Sequence, residues 1–155
     1  MTAERLAPVP RTAAEELRGA GLRVTAARVA ILETIESRPH LSAEAIAALA
    51  RDRVGTLSTQ AVYEALNALT DAGLLRRIEP AGSPARYERR VGDNHHHLVC
   101  RRCGAVTDAD CAGGEAPCLE PAASAGYQID EADVIFWGIC PDCQRSQLQR
   151  GDITP

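Results

Sequence analysis

Residues 58–75 read STQAVYEALNALTDAGLL, and a helix with two distinct faces can be read from them. Ser58 is placed to cap its first turn, and Leu57 and Val62 occupy the two positions of a hydrophobic staple. Gly73 ends it as a left-handed cap. Val62, Leu66 and Leu69 recur at i, i+4 and i+7 and form one apolar stripe. Gln60, Tyr63 and Asn67 recur at i, i+3 and i+7 on another face, with Thr59 beside them. These side chains carry donors and acceptors rather than charge. The ordinary reading of such a face is solvation. The sharper one is contact with base edges and phosphates, since Gln and Asn can pair bidentately with adenine.

The flanking sequence supplies the rest of a small helical unit. Thr12 and Glu15 fit a capping box that opens a helix running to about Ala20 and stopping at Gly21. Thr25 caps a second helix, with Val29, Leu32 and Ile35 directed inward, Ile31 flanking them, and Pro39 ending it. Ser42 caps a third, with Ile46 and Leu49 buried and Glu44 near the positive end of the helix dipole. Downstream, Leu74–Glu79 and Ala85–Arg90 read as two strands around the turn Pro80-Ala81-Gly82-Ser83-Pro84, and they carry Arg76, Arg77, Arg86, Arg89 and Arg90. Short helices followed by a basic hairpin are the order of a winged helix-turn-helix.

Charge and cysteine placement divide the chain of 155 residues. Its 17 basic residues, all arginine, face 21 acidic ones, a net charge of −4. That total argues against a nucleic-acid partner until it is partitioned. Residues 1–93 carry 13 Arg against 12 acids, and residues 94–155 carry 4 against 9. All six cysteines and three of the four histidines lie in the second part. The expectation is an α+β protein of two domains: residues 1–91 a winged-helix DNA-binding domain, residues 92–155 a ligand-rich one. The first residues lack the apolar stretch of a signal peptide, and no run approaches the roughly 20 apolar residues of a membrane span. A cytoplasmic location follows as an expectation, and there thiols stay reduced and Cys-x-x-Cys pairs favour metal over disulfides.

Cys100-x-x-Cys103 and Cys140-x-x-Cys143 are separated by 36 residues. Each pair lets both sulfurs reach one ion, and two pairs complete a tetrathiolate structural Zn(II) site. Such a site contributes about 10–16 kcal/mol of apparent binding free energy that is also folding energy. Just before it runs Asn94-His95-His96-His97-Leu98-Val99. In an extended strand His95 and His97 share a face and His96 points the other way. With Glu88, Asp93 and Asp108 they make a mixed nitrogen–oxygen set suited to Fe(II), Mn(II), Ni(II) or Zn(II). Cys111 and Cys118 remain over as buried small residues, further ligands or reactive thiols, and nothing in the sequence chooses among these.

The segments LRVTAARVAIL, STQAVYEALNALTDAGLL, ARYE, NHHHLVCRRCGAV and WGICPDC together resemble the ferric uptake regulator (Fur/PerR) family, over roughly Ala13 to Gln144. GDNHHHLVCRRCG and DCAGGEAPCL are similar to its FurA/CatR-type branch, whose genes lie beside catalase or catalase-peroxidase genes. The resemblance implies a homodimeric, metal-dependent repressor of transcription. Its winged helix would bind an AT-rich inverted repeat in double-stranded DNA, and its small α/β domain would dimerise through a shared sheet. It assigns the structural zinc to Cys100, Cys103, Cys140 and Cys143. The regulatory metal, Fe(II) or Mn(II) with Ni(II) or Zn(II) as alternatives, falls to His40, Glu88, His95, His97 and Asp108. Tyr63 matches a DNA-contacting tyrosine and Arg23 a residue that reaches the minor groove; Thr59, Gln60, Asn67, Arg76 and Arg77 complete the expected DNA face.

Two positions depart from the family's pattern. Ala132 stands where many relatives have a histidine, which removes or alters an optional additional metal site unless His96 and Glu131 rebuild one. Glycines and prolines interrupt residues 111–125, where relatives usually have a helix. Asp108 stands where the family's peroxide sensors tend to carry aspartate and its iron sensors glutamate. The resemblance therefore implies peroxide sensing through metal-catalysed oxidation of His40 or His95, with oxidation of Cys111 and Cys118 or of the zinc thiolates as the rival. A zinc- or nickel-uptake regulator on the same scaffold is the alternative within DNA binding. A metal-dependent hydrolase or peroxide-consuming enzyme would need an open coordination position and a general base. No such base motif is recognisable, so the expectation is a protein that is not an enzyme.

Overall fold

Four hydroxyl side chains start the four helices of the amino-terminal part. The computed structural model describes residues 11–93, 95–110, 124–129 and 132–150. Helices α1 (Ala13–Gly19), α2 (Ala26–Ser37), α3 (Ala43–Val54) and α4 (Thr59–Asp71) begin after Thr12, Thr25, Ser42 and Ser58. Each hydroxyl oxygen accepts from the backbone N–H three residues on. At α1 the box is closed, because Thr12 N–H donates back to Glu15 Oε2 at 2.8 Å. This bond, and after it the Thr12 hydroxyl donating to Glu15 Oε2 at 3.0 Å, hold the Glu15 carboxyl below its ordinary pKa. Gly21 and Gly73 take φ of 73° and 70° as the helix-ending residues they were expected to be.

The stripe of α4 is buried as expected: Val62, Leu66 and Leu69 are fully enclosed, and Ala65 joins them. Two expectations need correction. In α2, Ile31 is fully buried and Val29 only half-buried. This helix packs against α1, α3 and α4, so its buried arc is wider than a single stripe. In α3, Leu49 is half-buried, and Ala43, Ala47 and Ala50 line the inner face with Ile46. Small residues on this inner face permit close helix packing, which a reading based on large apolar side chains overlooks.

The hairpin strands are shorter than read: β2 is Arg76–Ile78 and β3 is Arg86–Glu88. Its turn closes by Ser83 N–H donating to Pro80 C=O at 3.0 Å, with Gly82 at φ 73°. A third strand, β1 (Leu41–Ser42), pairs antiparallel with β3 and makes the order β1-β3-β2. Ser42 thus ends β1 and caps α3.

In the carboxy-terminal part, β4 (His95–Cys100), β5 (Val106–Asp110) and β6 (Ile135–Gly138) form a sheet of order β5-β4-β6. β4 runs antiparallel to β5 and parallel to β6. Helix α5 (Pro141–Arg150) follows. By contacts the chain divides into two units: residues up to Ile78 with Arg86–Val91, and Glu79–Ala85 with residues from Gly92 onward. Among the described residues, no helix is long and apolar enough to cross a membrane. Cys111, Cys118 and Glu131 lie outside the described residues, as does most of the 111–125 segment.

Candidate metal centres and nucleic-acid interface

Cys100 ends β4, Cys103 follows in the turn to β5, Cys140 follows β6 and Cys143 lies in the first turn of α5. The parallel pairing of β4 with β6, which sets Cys100 opposite Gly138, brings the two pairs together. Gly104 at φ 72° turns the chain, and its N–H donates to Cys100 C=O at 2.9 Å. All four sulfurs lie within 4.8 Å of one another. Two sulfurs held at about 2.3 Å by one tetrahedral zinc stand roughly 3.8 Å apart; Cys103 Sγ and Cys140 Sγ are 3.7 Å apart. The donor set and its spacing fit a structural zinc ion.

The electrostatics favour a thiolate at one sulfur. Backbone N–H groups of Cys103 and then Cys140 donate toward Cys100 Sγ and pull its pKa down to about 6. Cys143 is pushed up to about 12, by removal of its sulfur from water and then by hydrogen bonding with the neighbouring thiols. Zinc therefore has to displace at least the Cys143 proton at neutral pH, and each proton released makes the apparent affinity pH-dependent. Chelator competition from pH 6.5 to 8.5 is expected to show zinc affinity rising roughly tenfold or more per unit. A flat profile would mean that the metal does not bind these thiols.

The histidines of β4 alternate as expected, and all three are buried. His95 and His97 share a face, with ring centroids 4.8 Å apart and planes inclined at 71°. His96 packs edge-on against Phe136 on the other. The register of β4 with β5 puts Asp108 opposite His97, and Asp108 Oδ1 lies 3.7 Å from the Nε2 atoms of both His95 and His97. Ligand atoms on one tetrahedral ion at about 2.0–2.2 Å stand roughly 3.3–3.6 Å apart. Each imidazole nitrogen is therefore a slight contraction away from sharing a divalent ion with Asp108. The remaining ring nitrogens face carboxylates. His95 Nδ1–H donates to Asp93 Oδ1 at 2.6 Å, and His97 Nδ1 is 3.9 Å from Asp133 Oδ1. A carboxylate on Nδ1 fixes the tautomer that presents Nε2 to a metal. Asp93 thus stands behind the His95 ring, on Nδ1, rather than beside its Nε2. Asp133 was missed because only the long-range pairing of β6 brings it near, with His97 N–H donating to Val134 C=O at 3.2 Å.

In the first unit, His40 N–H donates to Tyr87 C=O at 2.9 Å, extending the β1–β3 pairing by one residue. This brings His40 Nε2 to 2.9 Å from Glu88 Oε2, with both side chains buried. His40 adopts φ 63°, a left-handed conformation costly for a residue with a Cβ, and such strain gathers at functional sites.

Of the expected DNA face, Thr59, Gln60, Tyr63 and Asn67 are exposed on α4, Tyr63 by 41%, and Arg23 and Arg77 are exposed as well. Arg76 is half-buried, its Nε 3.9 Å from Glu88 Oε1. Arg89 is engaged inside the unit by Glu16 and Glu36, so the hairpin is less basic than its composition suggests. Arg51 Nε donates to Leu57 C=O at 2.7 Å and its Nη2 to Thr59 Oγ1 at 3.2 Å, fixing the turn that precedes α4.

A winged helix-turn-helix followed by a small sheet that gathers four cysteines at one place and imidazoles with carboxylates at another defines a metal-responsive transcriptional regulator. The chain belongs to the ferric uptake regulator family, whose sequence model matches residues 19–137. It is 56% identical over 137 residues to the transcriptional regulator FurA of Mycobacterium tuberculosis, covering 88% of this chain and 93% of that protein. It is 54% identical over 121 residues to ferric uptake regulation protein 1 of Mycolicibacterium fortuitum, covering 78% and 75% respectively. Among solved structures, the ferric uptake regulator of Vibrio cholerae matches with a TM-score of 0.63 at 27% identity, covering 82% of this chain and 98% of that one.

Proposed function

We propose that the protein is a repressor whose affinity for DNA is set by a divalent ion, with Fe(II) as the regulatory metal and hydrogen peroxide as the signal. The observation that carries this is the pair of buried imidazoles converging on one carboxylate oxygen, that of Asp108. The set is nitrogen and oxygen only, which suits a borderline divalent ion better than a soft one. His40 and Glu88 form a second buried pair of the same chemistry on the winged-helix unit. Metal occupancy is linked to operator affinity when both favour the same conformer. Neutralising acidic ligands also eases the approach to phosphate. The naming of relatives for ferric uptake supports iron. Fe(II), when bound, supplies the redox chemistry by which peroxide oxidises a ligand, His40 or His95.

Operator contact falls to Arg23, Thr59, Gln60, Tyr63, Asn67, Arg76 and Arg77, on an AT-rich inverted repeat read by a homodimer. The exposed side chains of Leu98 and Phe136, adjacent in the second sheet, support pairing of two copies there. The controlled genes on this reading are a catalase or catalase-peroxidase and the regulator's own, in the cytoplasm.

Gel-shift titration against its own promoter, in Fe(II), Mn(II), Ni(II), Zn(II) and no metal, tests the first part. Tight binding with Fe(II) or Mn(II) and weak binding without metal is the expected result. Peroxide treatment followed by mass spectrometry tests the second. Oxygen gained at His40 or His95 only in iron-loaded protein is expected, whereas linked cysteines with unmodified histidines would overturn the iron mechanism.

A further inference from the structure

On α4, Gln60 does not stand alone. Its Nε2 donates to Glu64 Oε1 at 2.9 Å, one helical turn on and on the flank of the face that carries Tyr63 and Asn67. A carboxylate can only accept, so the amide group of Gln60 must turn its NH2 toward Glu64, and its oxygen away. We infer that Glu64 is a specificity-determining residue: by fixing the amide of Gln60 it makes Gln60 a reader of adenine and excludes guanine at the same base pair. The inference rests on the reading of α4 as the helix that enters the major groove.

The chemistry follows from what the amide has left to offer. With one N–H held by Glu64, Gln60 presents one N–H donor and one carbonyl acceptor. Adenine offers N7 as acceptor and N6–H as donor, which complements that pair. Guanine offers O6 and N7, both acceptors, and one of them would meet the Gln60 oxygen. Without Glu64, the amide could turn both N–H bonds toward guanine. Glu64 also places a negative charge near phosphate, which opposes binding in general. Removing it should therefore separate two quantities that normally move together: affinity should hold or rise, while base discrimination falls.

The test uses the full-length, zinc-loaded protein with Mn(II). Wild type first selects from a pool of randomised duplexes, and competition binding then reads the adenine-to-guanine preference at each position of the selected half-site. Wild type is expected to show one position with a preference of roughly tenfold or more, the size of one bidentate contact. Glu64→Ala should lose most of that preference without losing affinity, and Gln60→Ala should lose it as well. In the Gln60→Ala background, Glu64→Ala should alter affinity but no base preference. A Glu64→Ala variant with undiminished preference overturns the inference and leaves DNA binding standing, as does an equal effect of Glu64→Ala in both backgrounds. Wild type that selects no duplex at all overturns the reading of α4 and this inference together.

Discussion

Cys103→Ser is expected to unfold the second unit and leave the first one folded. The two units are stabilised by different means. The helical unit encloses Leu17, Ile31, Leu32, Ile35, Ile46, Val62, Leu66 and Leu69 completely, each such side chain worth about 1.5–3 kcal/mol relative to exposure. Among the described residues, the buried hydrophobic side chains of the second unit are Val99 and Cys100. Its other enclosed residues are Pro80 in the hairpin turn and three imidazoles, which are polar and add little hydrophobic stabilisation. A zinc ion contributing on the order of 10 kcal/mol is therefore the largest single term available to that sheet. Serine in place of Cys103 removes one of four ligands that stand within 4.8 Å of each other. Zinc content should fall from a full equivalent to near zero. Thermal unfolding followed by circular dichroism should change from one transition to a surviving transition of the helical unit. Limited proteolysis should cut beyond Val91 and spare helices α1 to α4. Retained zinc with a single unfolding transition would show that the cysteines do not hold this sheet together.

Local features of the sequence proved readable and long-range ones did not. A cap needs a hydroxyl and an N–H three residues apart, so Thr12, Thr25, Ser42 and Ser58 announce their helices without help from the fold. The α4 stripe is readable for the same reason, since one helix face meets one core. α2 is not, because it is enclosed from several sides and Ile31 becomes core although it lies off the main stripe. β1 is two residues long and exists only through its partner β3, so no periodicity could have revealed it. The metal-binding chemistry divides in the same way. Cys-x-x-Cys and His-x-His are local patterns whose geometry is nearly set by spacing. Asp133 enters from a strand lead-in 36 residues beyond His97 and is legible only once the parallel register is known. Asp93, two residues before His95, could be listed with the ligands from sequence. Only the 2.6 Å contact to Nδ1 shows that it works through the imidazole.

That division of labour gives a second large effect. His97→Ala is expected to abolish the dependence of DNA binding on the regulatory metal while leaving the zinc in place. His97 is fully buried in the middle of β4, its Nε2 directed at Asp108. Its loss removes one of the two imidazoles of that set, and alanine offers no replacement donor. Coupling between an effector and a ligand commonly amounts to 1–3 kcal/mol, or about 5–150-fold in affinity. Operator affinity in saturating Mn(II) should fall by that factor, to the value wild type shows without metal. Asp93→Asn makes a graded companion, because an amide can also donate and no longer forces the Nδ1–H tautomer of His95. It should weaken metal binding by about 10–100-fold and shift the Mn(II) titration of DNA binding by the same amount, with full affinity recovered at high metal. Zinc content measured in parallel separates both variants from a folding defect, since the four cysteines belong to the same sheet. If His97→Ala keeps the full response to Mn(II) with zinc intact, the regulatory ion does not sit at this histidine pair, and the imidazoles are buried for structure alone.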